Sequence, residues 1–329
     1  MRDHIDPGDL PLLQDFQRDL PLVPQPFAEI GRRLGMAEAE VLARLIRLRG
    51  EGKVARVGAT VRPNTAGAST LAALAVPGKR IEAVAAIVGA EPGVNHSYQR
   101  DHRWNLWFVA TAPDATALAA TLDRIGRRTG RPVLDLPLLR AFNIDLGFRL
   151  RGPRHGMGAD RPADLDALCD GDRPILDRLS GGLDLVPAPF AALAATLGRT
   201  EAEVIGRIAA LSEAGILTRA GVIVRHRPLG WSANAMVAFD VPDDRAEAAG
   251  LALAAHPGVT LCYRRRTVPG VWPYGLFCMI HARTRAEAED VLDGARRLPA
   301  LSGAPHQVLF SLRCFKQTGA RLMAQEEAA

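Results

Sequence analysis

Cysteine is scarce in this sequence, and its spacing argues against two kinds of site. Four cysteines lie far apart with no paired spacing: Cys169, Cys262, Cys278 and Cys314. Zinc and iron–sulfur sites usually need closely spaced thiolates, and small disulfide-linked proteins need many cysteines. We therefore expect neither a metal site nor a disulfide framework.

Long hydrophobic runs are also missing. No stretch approaches the roughly 20 apolar residues that span a bilayer. The N-terminus, which begins Met-Arg-Asp-His-Ile-Asp-Pro, lacks the apolar centre of a signal peptide. We expect no membrane partner and a cytoplasmic location. The 329 residues, 48% of them apolar, are enough for roughly two to four small folded domains.

Lysine is nearly absent, since only Lys53, Lys79 and Lys316 occur among the 41 basic residues. The net charge of +5 is therefore carried almost entirely by arginine. A planar guanidinium can donate two parallel hydrogen bonds to a carboxylate or a phosphate. The composition thus favours an anionic partner.

The sequence contains two copies of one unit. The run Leu22-Val-Pro-Gln-Pro-Phe27 recurs as Leu185-Val-Pro-Ala-Pro-Phe190, and the same offset relates Glu38-Ala-Glu-Val41 to Glu201-Ala-Glu-Val204. Each unit is about 150 residues long, as expected for a tandem repeat of a whole module. Between them, 151–163 is rich in Gly, Pro and Arg and has no apolar period, so a linker is predicted there.

The first part of each unit has the pattern of a winged helix-turn-helix. Apolar residues recur at helical spacing in 26–34 and 38–48, with Gly35 at the break, and a further helix is predicted at about 9–19. The segment 53–62 is predicted to form a small two-stranded wing. The two helix-turn-helix domains are predicted at 1–63 and 164–227.

The second part of each unit has the order β-α-β-β-α-β, which is typical of ferredoxin-like folds. In the first copy, strands are predicted at 70–76, 94–100, 104–111 and 133–139, and helices at 81–88 and 116–129. The two ferredoxin-like domains are predicted at 66–150 and 232–322. The fold class is therefore predicted to be α+β, a tandem repeat of winged helix-turn-helix plus ferredoxin-like (βαββαβ) module.

The stretch 93–108 holds more chemically active side chains than packing alone requires. Alternation along the strand 94–100 places His96, Tyr98 and Arg100 on one face. A short turn that contains His102 then leads into the next strand. We interpret this stretch as part of a site, and the alternative is an ordinary hairpin with solvated charges.

The helix-turn-helix pattern raises the question of DNA binding. The helix that would enter the major groove begins with Glu38 and Glu40 in the first copy and with Glu201 and Glu203 in the second, where only Arg207 is cationic. Acidic residues stabilise a helix start but repel phosphates. We do not expect binding to specific DNA sequences.

Two family resemblances emerge from these motifs. A helix-turn-helix followed by a ferredoxin-like module resembles the leucine-responsive regulator/AsnC family of transcription factors. The Leu-Val-Pro-x-Pro-Phe runs, the run from His96 to Phe108 and the run from Cys262 to His281 more closely resemble the siroheme decarboxylases. The second resemblance covers nearly the whole chain. Those enzymes use two homologous subunits, and this chain resembles the two subunits joined, first type then second.

The resemblance implies that the acetate carboxyls at positions 12 and 18 of siroheme are removed as CO2, in the route to heme d1 or in the alternative route to heme b. It implies siroheme as the partner and no separate cofactor, because the iron belongs to siroheme. Regulator-type modules dimerise, so we expect the two modules to pair within one chain, and further homo-oligomer formation is left open.

Loss of CO2 from a pyrrole acetate needs an acid near the ring and a cation to orient the carboxylate. His96 is the predicted acid, assisted by Tyr98, and Arg100 is the predicted carboxylate ligand. His102 is assigned to the substrate site, where a second acid, an iron ligand and a plain turn residue remain open. The other predicted substrate-binding residues are arginines and aromatic residues of both copies: Arg62, Arg225, Arg264, Arg265, Trp104, Trp107, Tyr263, Trp272 and Tyr274.

The two copies differ at the position of the proposed acid. Leu261 stands where the first copy has His96, whereas Tyr263 and Arg265 match Tyr98 and Arg100. We therefore expect the acid in the first module and mainly substrate binding in the second, unless Leu261 and Tyr263 are simply core. A rival hypothesis keeps the fold but makes the protein a heme- or small-ligand-responsive regulator without turnover.

Overall fold

The structure is a computed structural model, and it describes residues 5–143, 150 and 162–323. Residues 151–161 of the predicted linker, and residues 144–149 of the first predicted ferredoxin-like domain, lie outside the described residues. The described residues contain both copies of the repeat, and the predicted α+β class is confirmed.

The first copy consists of three helices, one strand and a βαββαβ module. Its elements are α1 (Leu10–Asp15), α2 (Pro26–Leu34), α3 (Glu38–Gly50), β1 (Val54–Val61), β2 (Ala68–Leu74), α4 (Ile81–Ala90), β3 (Val94–Arg100), β4 (Leu106–Ala112), α5 (Ala115–Thr129) and β5 (Leu134–Asn143). α2 ends at Gly35, whose φ of 68° lets the chain turn sharply into α3.

The second copy repeats this order. Its elements are α6 (Asp172–Gly181), α7 (Pro189–Leu197), α8 (Glu201–Glu213), β6 (Leu217–Val224), β7 (Ala233–Phe239), α9 (Asp243–Ala255), β8 (Val259–Arg265), β9 (Leu276–Ala282), α10 (Arg285–Arg296) and β10 (His306–Gln317). Gly198, with a φ of 63°, ends α7 as Gly35 ends α2.

The predicted two-stranded wing within each copy is wrong. Residues 53–62 form a single strand, β1, which pairs antiparallel with β6 of the other copy, so that Gly58 lies opposite Gly221. Each glycine is packed under the other copy's first helix, since a Cβ on Gly58 would lie 2.3 Å from the backbone oxygen of Leu179 and one on Gly221 the same distance from that of Phe16. We call this β1–β6 pair the ribbon.

The two ferredoxin-like modules share one closed eight-stranded barrel, in the order β10-β3-β4-β2-β5-β8-β9-β7. The modules join where β10 pairs with β3 and where β5 pairs with β8. This order maps onto itself when each strand is replaced by its counterpart in the other copy. The predicted intramolecular pseudo-dimer is therefore confirmed as a shared barrel.

Apolar residues fill three regions of the barrel. α4 and α5 cover one outer side around Val84 and Phe108, and α9 and α10 cover the other around Leu253 and Cys278. The interior contains Trp107 and Trp272, among other apolar side chains. None of the described helices has the length and apolarity needed to cross a membrane.

Candidate functional site

A cavity of about 640 Å³ lies between the open end of the barrel and the ribbon. β1 lines one side of it, and strands from both modules line the rest, including β3 and β8. The tail after β10 closes a further part of the wall through Thr318 and Leu322. Both copies therefore contribute to one shared cavity, whose size is typical of ligand sites.

The charged side chains that line this cavity, among the described residues, are all arginines. The lining contains six arginines, three histidines and two tyrosines: Arg56, Arg62, Arg100, Arg225, Arg227, Arg265, His96, His226, His281, Tyr98 and Tyr263. Among the described residues that line the cavity there is no aspartate or glutamate. Apolar groups such as Trp107 and Met236 form the remaining surface. This lining suits a large ligand with an apolar body and several carboxylates.

Arg100 and Arg265 occupy corresponding positions in the two modules. Nη1 of Arg100 donates to the backbone oxygen of Leu309 at 3.0 Å, and Nη1 of Arg265 donates to that of Leu136 at 2.8 Å. The Nε atom of each is buried and has no hydrogen-bond acceptor among the described residues. Burial lowers the pKa of both guanidiniums. Asp101 acts on Arg100 and Asp135 on Arg265 in the opposite direction, but to a smaller extent than burial, and neither forms a salt bridge with these arginines among the described residues. Each guanidinium is therefore suited to an anion from outside the chain.

The ribbon side of the cavity carries further arginines. Burial, and to a smaller extent the charge of Arg225, lowers the pKa of Arg56, and the Nε atoms of both residues are buried without an acceptor among the described residues. Arg62 is fixed by a hydrogen bond of 2.8 Å from its Nε to the backbone oxygen of Gly215. Cations therefore face the cavity from both the barrel and the ribbon.

His96 lies on the barrel wall below Arg56. Its Nδ1 is 2.6 Å from Oδ1 of Asn95. Burial, and then the positive charge of Arg56, lowers the pKa of His96 to about 4. The imidazole is therefore neutral at pH 7 when no anion is bound, and a bound carboxylate would raise this pKa.

Two more histidines from the second copy stand beside His96. Burial, followed by the charges of Arg219 and His96, lowers the pKa of His226 to about 4. The rings of His226 and His281 are 4.4 Å apart, and Nδ1 of His281 is 2.7 Å from Oγ1 of Thr260. The second copy thus supplies imidazoles at the cavity even though Leu261 replaces the histidine on its own strand.

Both cavity tyrosines are held as neutral phenols. Burial raises the pKa of Tyr98 and of Tyr263 above the ordinary range. The guanidinium carbon of Arg100 lies 5.7 Å from the ring centre of Tyr98, and that of Arg265 lies 4.6 Å from the ring centre of Tyr263. Each phenol can donate a hydrogen bond at neutral pH and also packs against the neighbouring arginine.

Eight of the thirteen predicted site residues line the cavity, and five do not. The eight are His96, Tyr98, Arg100, Arg62, Trp107, Arg225, Tyr263 and Arg265. The five are His102, Trp104, Arg264, Trp272 and Tyr274, which the structure does not bring to the cavity.

Four of the five lie in loops at the opposite end of the barrel. His102 is six residues beyond His96, which corresponds to about 20 Å along a strand. Trp272 is 1% exposed, and its ring centre is 5.5 Å from that of His102, 5.2 Å from that of Trp107 and 5.1 Å from that of Tyr274. Trp104 accepts a hydrogen bond from Nε1 of Trp107. These side chains pack on one another across this end of the barrel, and of the cluster only Trp107 lines the cavity.

Arg264 points away from the barrel interior because side chains alternate along β8. It forms a salt bridge of 2.5 Å with Asp243 at the start of α9, whereas its neighbour Arg265 faces the cavity. The run of arginines in the sequence is thus divided between two faces of the strand.

Sequence reasoning missed several cavity residues, among them Arg56, His226 and His281. His226 directly follows Arg225, at the place where the first copy has Pro63 after Arg62. By strand register, His281 corresponds to Thr111. A position-by-position comparison of the two copies would have revealed both histidines as differences, whereas Arg56 requires knowledge of where β1 packs.

Family models match both copies of the repeat. An AsnC-like ligand binding domain matches residues 66–143 and 228–316, and a siroheme decarboxylase NirDL-like HTH domain matches residues 9–54 and 172–217. The matched boundaries coincide with the helical part and the barrel part of each copy.

Similar proteins and structures cover the whole chain or one half of it. The siroheme decarboxylase NirDL subunit of Paracoccus denitrificans is 64% identical over 97% of this chain and 98% of its own length. The siroheme decarboxylase NirD subunit of Stutzerimonas stutzeri is 48% identical over 46% of this chain and 99% of its own length. A crystal structure of the siroheme decarboxylase NirDL in co-complex with an iron-uroporphyrin III analogue is 28% identical, with a TM-score of 0.66 over 95% of this chain and 93% of that one.

Proposed function

The chain belongs to the siroheme decarboxylase family, in the form that joins two homologous subunits, and we propose that it removes the C12 and C18 acetate carboxyls of siroheme as CO2. The product would be 12,18-didecarboxysiroheme, an intermediate for heme d1 or for the alternative route to heme b. No separate cofactor is proposed, because the iron is part of the substrate. Association of the fused chain with further copies of itself stays a prediction.

The observation that carries the proposal is the charge of the cavity lining. Siroheme is a flat apolar ring with eight carboxylates, and the cavity offers six guanidiniums and no lining carboxylate among the described residues. Guanidiniums on the barrel and on the ribbon could bind carboxylates on different edges of one ring. A small ligand, one of the kinds that the rival regulator hypothesis allows, has no use for so many cations.

Arg100 and Arg265 are the proposed anchors of the substrate carboxylates. Each is already held by a backbone carbonyl, so little side-chain entropy remains to be lost when a carboxylate binds. The unpartnered Nε donors would gain an acceptor at that moment. Binding energy would thus hold an acetate close to His96, and holding the reacting groups together in this way lowers the barrier to reaction.

His96 is the proposed proton donor. When CO2 leaves, the electrons of the broken C–C bond pass into the macrocycle, and one proton must reach the carbon that becomes the methyl group. His96 is neutral in the free protein because its pKa is lowered to about 4. The arriving carboxylates would raise that pKa, so His96 would take up a proton on binding and deliver it during decarboxylation. Tyr98 would assist as a neutral hydrogen-bond donor.

Anaerobic incubation with siroheme followed by mass spectrometry tests the proposal. We expect two successive losses of CO2 at substoichiometric protein, which only an enzyme can produce. A regulator of the same fold would bind siroheme and return it unchanged. No feature of the described residues favours that second function over the first.

A further inference from the structure

Asn95 and Thr111 form a buried hydrogen-bonded chain behind His96. Asn95 is 3% exposed and Thr111 is 7% exposed. Oδ1 of Asn95 lies 2.6 Å from Nδ1 of His96, and Nδ2 of Asn95 lies 3.4 Å from Oγ1 of Thr111. The Thr111 hydroxyl in turn lies 3.0 Å from the backbone oxygen of Arg321, in the tail after β10. A polar chain thus leads from the C-terminal tail to the imidazole.

The backbone oxygen at the end of this hydrogen-bonded chain fixes which group donates and which accepts in each of its hydrogen bonds. A backbone oxygen only accepts, so the Thr111 hydroxyl donates to Arg321, and the other nearby acceptor, the backbone oxygen of Gly93 at 3.4 Å, would impose the same direction. The Thr111 oxygen is then left to accept from the amide NH₂ of Asn95. The amide oxygen of Asn95 must therefore face His96, and because it only accepts, Nδ1 of His96 must carry the hydrogen.

We propose that Asn95 and Thr111 are positioning residues that hold His96 as the Nδ1–H tautomer, so that Nε2 is the nitrogen that receives and delivers the proton. The role in catalysis rests on the proposed function, whereas the tautomer itself does not. The partner of one ring nitrogen decides the state of the other. With Nδ1 occupied by Asn95, only Nε2 remains for the substrate.

In the second copy the matching positions are also hydrogen-bonded, since Oγ1 of Thr260 lies 2.7 Å from Nδ1 of His281, but no imidazole follows Thr260 on the strand. Strand register makes Thr260 the counterpart of Asn95 and His281 the counterpart of Thr111, and Leu261 replaces His96. The combination of the Asn95 amide and the Thr111 hydroxyl is therefore present in the module that has His96 and is absent from the module that has Leu261 in its place.

The tail that ends the chain is itself fixed. The backbone N–H of Thr318 donates to the backbone oxygen of Asn95 at 2.8 Å, and Leu322 is 5% exposed. A Cβ on Gly319 would lie 1.7 Å from the backbone oxygen of Ser180, so the tail runs directly against the end of α6. The carbonyl of Arg321 is therefore a stable anchor for Thr111.

Nitrogen-15 NMR of the substrate-free protein tests the tautomer without any turnover. At pH 7 we expect His96 to be neutral with the hydrogen on Nδ1, and Thr111→Val to give a mixture of tautomers because Asn95 is free to turn over. Thr111→Ser should keep the wild-type signature. Thr129→Val is the matched control, because it removes a buried hydroxyl that donates to Ile125 in α5, away from the cavity. A hydrogen on Nε2 in the wild type would overturn the proposal even if siroheme is turned over.

Kinetics with siroheme then test the positioning role. Thr111→Val should lower kcat by roughly tenfold with little change in KM, less than the roughly 10²-fold expected for loss of the acid itself. Asn95→Asp should keep the tautomer but raise the pKa of His96, so the pH dependence of kcat should shift to higher pH. The other groups that face His96, namely Arg56, His226 and Tyr98, are unchanged in this variant. If Thr111→Val and Thr129→Val have the same kcat, or if Asn95→Asp leaves the pH profile in place, the positioning role is wrong.

Discussion

Individual arginines explain why the cavity favours an anion. Arg100 is buried and Arg265 is partly buried, both are hydrogen-bonded to backbone carbonyls, and no acidic residue lines the cavity within the described chain. Removing a charge from water costs several kcal/mol when the protein does not supply a counterion. The protein therefore retains a destabilising feature whose benefit appears only when a polyanion binds.

Replacement of Arg100 by methionine tests this trade-off. Arg100→Met should weaken siroheme binding and should raise the free energy of unfolding of the ligand-free protein, by on the order of 1 kcal/mol, because an unopposed buried charge is removed. The control Arg264→Met replaces the arginine next to Arg265, which is the counterpart of Arg100. The salt bridge between Arg264 and Asp243 is exposed, so this variant should affect neither quantity much. Urea unfolding and siroheme titration measure both. Loss of stability in Arg100→Met would show that the charge is compensated.

The cavity histidines predict how stability depends on pH. The pKa values of His96 and His226 are lowered from 6.5 to about 4 in the folded protein, so between these values the unfolded chain binds protons that the folded chain does not. Stability is therefore full above about pH 6.5 and decreases as the pH falls towards 4, by on the order of 2 kcal/mol for the pair, since both residues line the cavity and are only partly buried.

Urea unfolding of wild type and His96→Gln between pH 7 and pH 4.5 measures this contribution. The variant should lose less stability over the range, because glutamine does not titrate. Equal slopes for the two proteins would mean that His96 has an ordinary pKa in the folded state.

Among the elements, the ribbon marks the limit of what the sequence predicts. Local patterns placed α2 at 26–34 and β3 at 94–100, because an apolar period and alternation are properties of one segment. The same patterns predicted strand structure near 53–62 but assigned its partner to the same copy. A strand's hydrogen-bonding partner is set by packing between the copies, about which a single segment carries no information.

The position of a residue along its strand likewise decides which of the predicted site residues line the cavity. Alternation correctly grouped His96, Tyr98 and Arg100, since residues two apart share a face. Trp104 and Trp272 were assigned to the same site as aromatic residues that could bind the substrate, yet each lies beyond the end of its strand and so at the other end of the barrel. Closeness along a strand does not mean closeness in a cavity.

Glycine substitutions in the ribbon test the packing between the copies. Gly58→Ala and Gly221→Ala each add a methyl group against a backbone oxygen of the other copy, and each should cost roughly 1–3 kcal/mol of stability. Gly206→Ala in α8 meets no atom within 4 Å and should be neutral or stabilising by up to about 1 kcal/mol. Thermal unfolding compares the three variants. A neutral Gly58→Ala would mean that β1 does not pack under α6.

On the scale of the whole molecule, arginines of both helical domains are engaged in salt bridges within those domains. Arg44 and Arg47 in α3 form salt bridges with the buried Asp9, and Arg207 in α8 does so with the buried Asp172. The same interaction recurs in both copies and uses cations that a regulator would direct at phosphates. These helices therefore brace the ribbon that covers the barrel.

Binding to duplex DNA should accordingly be no tighter than non-specific, on the order of 10⁻⁴ to 10⁻⁶ M at physiological salt. Fluorescence anisotropy with promoter and scrambled duplexes measures it. Nanomolar binding that distinguishes the two sequences would contradict this interpretation of the helical domains.

The central claim is that siroheme loses CO2 at this cavity with a proton from His96, and single-turnover decarboxylation at saturating siroheme tests it most directly. We compare wild type, His96→Ala and His102→Ala, which makes the same change at the closed end of the barrel. Wild type and His102→Ala should yield didecarboxysiroheme, whereas His96→Ala should bind siroheme and react roughly 10²-fold more slowly or worse. Unchanged siroheme from the wild type, or a wild-type rate from His96→Ala, would contradict the account.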